Sequence, residues 1–247
     1  MHKFNQLKKV IDSNGVDPVV IVEVGSHWGQ DTVRFMQAFK NVDIYSFEPN
    51  PISAQINEML VKSALNGDRM KILDEELTFG KVNFELYQAA VSNQSGLVDF
   101  FCTYRDVEER DKLDSNRVLV GNVVLDYDVF SSPHVIAADG SSLNRLLKDE
   151  DLFKTIKVST ITLDEWNSKT QVDKIDLLWV DVQGHERSVI EGAKETLKNV
   201  EFVILETDEQ DSYDGAMSKQ ETVELMKGLS FFPIMNFGSD VLFRRVK

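Results

Sequence analysis

Cysteine is nearly absent: Cys102 is the only one in 247 residues. An intramolecular disulfide is therefore excluded, and so is a cysteine-rich metal site. Long apolar runs are missing, and none approaches the roughly 20 residues of a membrane-spanning helix. Basic residues are in deficit, 27 against 41 acidic, for a formal net charge of -14. Nucleic-acid binders need clustered Lys and Arg, so that class of partner is set aside. A small neutral or cationic ligand fits the balance better. The first ten residues carry no signal-peptide apolar core. A cytoplasmic protein that meets no membrane is the expectation. Missing too is the Gly-x-Gly-x-x-Gly fingerprint of dinucleotide binders.

What is present is an ordinary globular balance, 42% hydrophobic and 28% charged, in a chain long enough to bury its own core. Phe4, Leu7, Val10 and Ile11 recur at helical spacing, so residues 1–17 hold an N-terminal helix. Val19–Val24 is a β-branched run suited to a strand covered on both faces. A loop from Gly25 to Gly29, a helix, a strand at Val42–Phe47 and a helix from Pro51 to Leu65 follow. This β-α-β-α order opens a doubly wound α/β sheet. Strands are expected at Val82–Tyr87 and Leu97–Thr103. Residues 104–158 lack a clear period and read as an irregular insert, a substrate lid in a single domain of residues 1–247. Beyond it lie a strand at Ile175–Val180, a helix over 185–199, and a strand ending in Glu206. A helix from Met217 to Leu229 and a closing hairpin around Gly238 complete the chain.

Open α/β sheets bind ligands beyond the carboxyl ends of their strands. Gly25 permits a sharp turn close to a ligand. Glu48, about 20 residues after Gly29, ends the second strand, where a carboxylate can accept from both hydroxyls of a ribose. A Gly-x-x-x-Gly loop suits a ribose with an amino-acid end better than a pyrophosphate. The alternative is that Gly25 and Gly29 only make a tight strand-to-helix turn.

Val22-Glu23-Val24-Gly25-Ser26-His27-Trp28-Gly29 with Phe47-Glu48-Pro49-Asn50-Pro51 resembles the FkbM-type family of S-adenosylmethionine-dependent methyltransferases. Ala89-Ala90-Val91-Ser92 through Gly96, Thr162-Leu163-Asp164-Glu165-Trp166 and Asp176 through Glu186 resemble further segments of that family, in the same order. Ser26-His27, Trp179 and Gln183 depart from its usual pattern, which has Ala-Asn, Lys and Glu there. The resemblance implies a Rossmann-like class I methyltransferase sheet of about seven strands with an antiparallel C-terminal hairpin. It implies S-adenosylmethionine as cofactor, with Glu23, Gly25, Ser26 and His27 at its methionine end and Glu48 on the ribose. Pro49 and Asn50 would lie beside the ribose and adenine, and Ala89 and Ala90 by the adenine. Asp181 would lie near the donor amino group and the acceptor site. The implied reaction is O-methylation of a hydroxyl on a sugar or polyketide-like small molecule.

The sulfonium already activates the methyl group, so the protein must align the acceptor and take its proton. Asp181 and His185 are the candidate bases. Each has a plainer reading, Asp181 as a cofactor contact and His185 as an exposed first-turn residue. His134 is a weaker candidate. Mg²⁺ among Asp181, Glu206 and Asp208 is not favoured, because strand-end carboxylates are more often caps or ligand contacts; no metal ligand is assigned. The rival functional class is a cofactor-binding regulatory or scaffold module without transferase activity. An NAD-dependent oxidoreductase is disfavoured by the missing glycines.

Overall fold

The computed structural model describes residues 2–13, 15, 17–66, 79–106, 112–114, 117–120, 123–126, 135–137, 153–207 and 216–246. The sheet at its centre follows from the β-branched runs. Strand β1 (Val19–Val24) lies between β2 (Asn41–Phe47) and β11 (Ile175–Val180), parallel to both. Outward on one side is β3 (Lys81–Tyr87), parallel to β2. On the other side lie β12 (Val200–Glu206), then β14 (Asp240–Arg245) and β13 (Phe231–Phe237). The seven-stranded order is β13-β14-β12-β11-β1-β2-β3, and β14 runs antiparallel to both its neighbours. The expected doubly wound sheet and its antiparallel closing hairpin are both there.

Each face of this sheet buries its own layer. Val19 and Ile21 of β1 pack with α1 (His2–Asp12), α2 (Gln30–Ala38) and α3 (Pro51–Asn66), through Leu7, Val33 and Ile56 among others. Val22 and Val24 point the other way, with Trp166 of α4 (Leu163–Thr170), Val189 of α5 (Glu186–Glu191) and Met226 of α6 (Lys219–Gly228). This is the period-two alternation of a strand. It also sets which face Glu23 must take.

Two expectations need correction. Residues 185–199 are not one helix. They form α5 and a separate 3₁₀ turn at Thr196–Asn199. A Cβ at Gly192 would lie 2.1 Å from the Ser92 carbonyl oxygen, so the chain passes there against another backbone. The second correction concerns 104–158, expected to be irregular, and only its described residues, since 107–111, 115–116, 121–122, 127–134 and 138–152 lie outside them. Long β5 (Gly96–Asp106) pairs antiparallel with β10 (Phe153–Ile161), in a four-stranded sheet completed by β4 (Ala90–Val91) and β9 (Val135–Ala137). Strands β6 (Lys112–Asp114), β7 (Arg117–Val120) and β8 (Val123–Asp126) make a small antiparallel sheet. Strands β6 to β8 are too short to carry a local period, and β5 and β10 pair across a long stretch of chain, so the sequence did not show them as a sheet.

Candidate active site

Beyond their ladders, the strand ends are tied together by backbone. Gly25 and Ser26 both donate N–H to the Phe47 carbonyl at 3.0 Å, and Asp181 N–H donates to the Val24 carbonyl at 2.9 Å. Gly25 has φ +85, and a Cβ there would fall 1.8 Å from the Asp181 carbonyl oxygen. Only glycine lets these two strand ends close on each other. Above them lies a cavity of about 280 Å³. Val24, Gly25 and His27 wall it from β1, and Phe47, Glu48 and Pro49 from β2. Ala89, Ala90, Val91 and Phe100 close one side, and Asp181, Val182, Gln183 and His185 the other.

Glu48 is 5% exposed. One carboxylate oxygen accepts the His27 N–H and the other the Asn50 N–H, both at 2.8 Å. A carboxylate offers about four acceptor sites, so two remain for a ligand diol. Burial raises its pKa to about 7, against the two backbone bonds that lower it. His27 sits at φ 47 and stacks on Trp28, with ring centroids 4.3 Å apart. That left-handed turn is what aims its N–H at Glu48.

Of the site residues anticipated from sequence, Gly25, His27, Glu48, Pro49, Ala89, Ala90, Asp181 and His185 share the cavity wall. Glu23, Ser26 and Asn50 do not. Glu23 lies on the α2 side of the sheet, where its carboxylate accepts from Thr32 Oγ1 at 2.6 Å and Ser46 Oγ at 2.7 Å. Its burial lifts the pKa to about 8. Ser26 Oγ accepts from Asn57 Nδ2 at 2.8 Å. Asn50 Oδ1 accepts from Ile52 N–H at 3.0 Å, at the start of α3. These three brace the loops that form the wall. Sequence reasoning missed Gln183 as a wall residue, and with it the apolar Val24, Phe47, Val91, Phe100 and Val182. Their apolar character reads as core until the tertiary structure opens a space beside them.

The other side of the cavity is acidic. Gln183 Nε2 donates to Asp181 Oδ1 at 2.7 Å and to Glu206 Oε2 at 2.8 Å. Burial pushes both carboxyls up; the Asp181 charge raises Glu206 further, while the hydrogen bond between the two lowers Asp181. Glu186 accepts from the Val182 and Gly184 N–H groups, and burial raises it to about 7. His185 Nε2 lies 3.0 Å from Ser92 Oγ, and burial holds its pKa down at about 4. His134 and Asp208 lie outside the described residues. Among the described residues, no group of three His, Cys, Asp or Glu is placed to hold a metal ion, and no Lys or Arg lines the cavity.

A sheet with reversed winding about β1, a glycine turn over its end and a buried carboxylate just past β2 make a Rossmann-like α/β domain with its cavity at the strand ends. The chain belongs to the FkbM methyltransferase family: the methyltransferase FkbM domain matches residues 23–233. It is thus a methyltransferase. It is 28% identical over 233 residues to the 2-O-methyltransferase NoeI of Sinorhizobium fredii, covering 94% of this chain and 81% of that protein. Among solved structures it is similar to the 1,6-didemethyltoxoflavin-N1-methyltransferase of Burkholderia thailandensis, solved with S-adenosylhomocysteine. There the TM-score is 0.42 at 9% identity, covering 99% of this chain and 78% of that one. The mitomycin 7-O-methyltransferase MmcR gives 0.40 at 11% identity, covering 92% of this chain and 49% of that one. Among the described residues, no helix is long and apolar enough to cross a membrane.

Proposed function

We propose that this chain, acting as one domain in the cytoplasm, transfers a methyl group from S-adenosylmethionine to a hydroxyl oxygen of a small molecule, a sugar or polyketide-like compound. The observation that carries this reading is Glu48. It is a buried carboxylate at the end of β2, held by two backbone N–H groups, with acceptor capacity left toward the cavity. The charge of the walls fits the same ligand. Asp181 and Glu48 face the cavity, and no Lys or Arg among the described residues does. A cationic sulfonium and amino group suit such walls, whereas a pyrophosphate would be repelled. Similarity to the 2-O-methyltransferase NoeI supports oxygen as the acceptor atom.

When bound, the cofactor would supply a methyl group activated by its sulfonium, with the sulfur leaving with the carbon–sulfur electron pair. Glu48 would hold the ribose hydroxyls, Pro49, Ala89 and Ala90 would flank the adenine, and Gly25 and His27 the methionine end. Asp181 or His185 would take the acceptor's proton. Phe100, on β5, brings the second sheet to the cavity wall, which supports a role for 104–158 in shaping and covering the acceptor site. Calorimetric titration with S-adenosylmethionine tests the reading. Glu48→Gln keeps the volume but removes the charge. Charge-assisted hydrogen bonds contribute about 1.5–3 kcal/mol, so affinity should fall about tenfold or more. Failure of the wild type to bind would sink the proposal.

A further inference from the structure

Gln183 occupies a position that simple turn-making does not explain. It has φ 54, and Gly184 follows at φ 95. A non-glycine residue in that region is strained unless its surroundings hold it there. Here the side chain holds it. The two left-handed residues fold the chain back from β11, so the Gln183 amide donates to Asp181 and Glu206 at once. The strand register explains why those carboxyls are neighbours. Val180 pairs with Leu205 in the parallel ladder, and Asp181 and Glu206 are the next residue on each strand. Like charges so placed repel. The groups acting on the pair from other elements are also acidic: Asp240 on β14, Asp31 on α2 and Glu186 on α5. Lys3 of α1 is paired with Asp240 and also lies 3.9 Å over the Trp179 ring. Two buried carboxyls in such surroundings share one proton.

We propose that Gln183 is the positioning residue that binds Asp181 and Glu206 into a single proton-accepting unit, whose cavity-lining member, Asp181, takes the acceptor hydroxyl's proton. This rests on the methyltransferase reading above and names its base. Glu206 keeps the shared proton behind Asp181. The hydroxyl proton passes to the Asp181 carboxylate as the oxygen takes the methyl, and the doubly protonated pair then returns that proton to solvent. His185, bonded to Ser92, is left with binding rather than proton transfer.

The test uses the full chain with ¹³C-labelled Asp and Glu carboxyls, titrated by NMR without cofactor. In the wild type, the Asp181 and Glu206 resonances should titrate together in two separated steps. In Gln183→Leu, which loses both donors, the lower step should rise by about one unit or more. In Glu206→Gln, Asp181 should titrate in a single step. Independent single steps in the wild type, or an unmoved lower step in Gln183→Leu, would overturn the proposal. Calorimetry with S-adenosylmethionine on the same samples reports whether the site is intact. Turnover with a panel of methyl glycosides adds a kinetic readout. The acid limb of kcat/KM in Gln183→Leu should follow the NMR step, a tenfold loss per unit at low pH. No turnover by the wild type would count against the sugar acceptor alone, since the titration still decides the pair.

Discussion

Single residues decide the electrostatics of this site, and Glu48 gives the clearest pH test. Its carboxyl is raised to about 7 by burial. A cationic, hydroxyl-bearing cofactor favours the ionised form, so binding should release protons below and near that value. Affinity for S-adenosylmethionine should therefore rise between pH 6 and 8, by up to about tenfold per unit for one linked proton. Calorimetry in buffers of differing ionisation enthalpy would show it, and a flat profile in wild type would refute the linkage. Gly25 is testable in the same preparation. Gly25→Ala places a carbon on the Asp181 carbonyl at a positive φ. Strain of this kind is roughly 1–3 kcal/mol, and the strand ends must also part. Cofactor binding should be lost before the fold is, with circular dichroism as the check. Glu48 was readable in the sequence because the β2 carboxylate sits at a fixed point in such sheets. The departure of Glu23 from the wall follows from a one-residue alternation that only the packed layers reveal.

At the level of elements, the aromatic cluster under the second layer is the test. Trp166 of α4 is 1% exposed, with Phe47, Tyr45 and Tyr87 ring centroids 5.6, 5.3 and 6.2 Å away. Phe47 also walls the cavity. Trp166→Ala should cost about 3–5 kcal/mol and weaken cofactor binding, read by denaturant unfolding and calorimetry. Helix α4 itself is set by Thr162, whose hydroxyl accepts from Glu165 N–H at 2.9 Å. The helices α1, α2, α3 and α6 were legible from spacing and turn residues. The break between α5 and the 3₁₀ turn was not, because it depends on Ser92, far away in the chain. A strand was expected at β5, but its pairing with β10 was hidden for the same reason, since the two meet across about 50 residues or more.

The whole molecule gathers carboxyls at one end of its sheet. Glu23, Glu48 and Glu186 are raised by burial to about 8, 7 and 7 from an ordinary 4.5. Raised acids hold their protons longer in the folded state than in the unfolded one. Their contribution is fully present below the unfolded value and is lost as pH climbs through the folded ones. Thermal stability of the cofactor-free protein should thus fall from pH 5 to pH 8. Saturating S-adenosylmethionine should offset the loss. A melting temperature that rises over that range would refute this account. The sequence by itself determined the winding of the main sheet, the helices of its first half and the β2 carboxylate. It could do so because those depend on local periodicity and on turns at fixed offsets. Only the tertiary structure decided which carboxyls face the cavity, that Gln183 bridges two strand ends, and that the described parts of the insert hold strands. Those depend on register and layer, which join residues far apart in the chain.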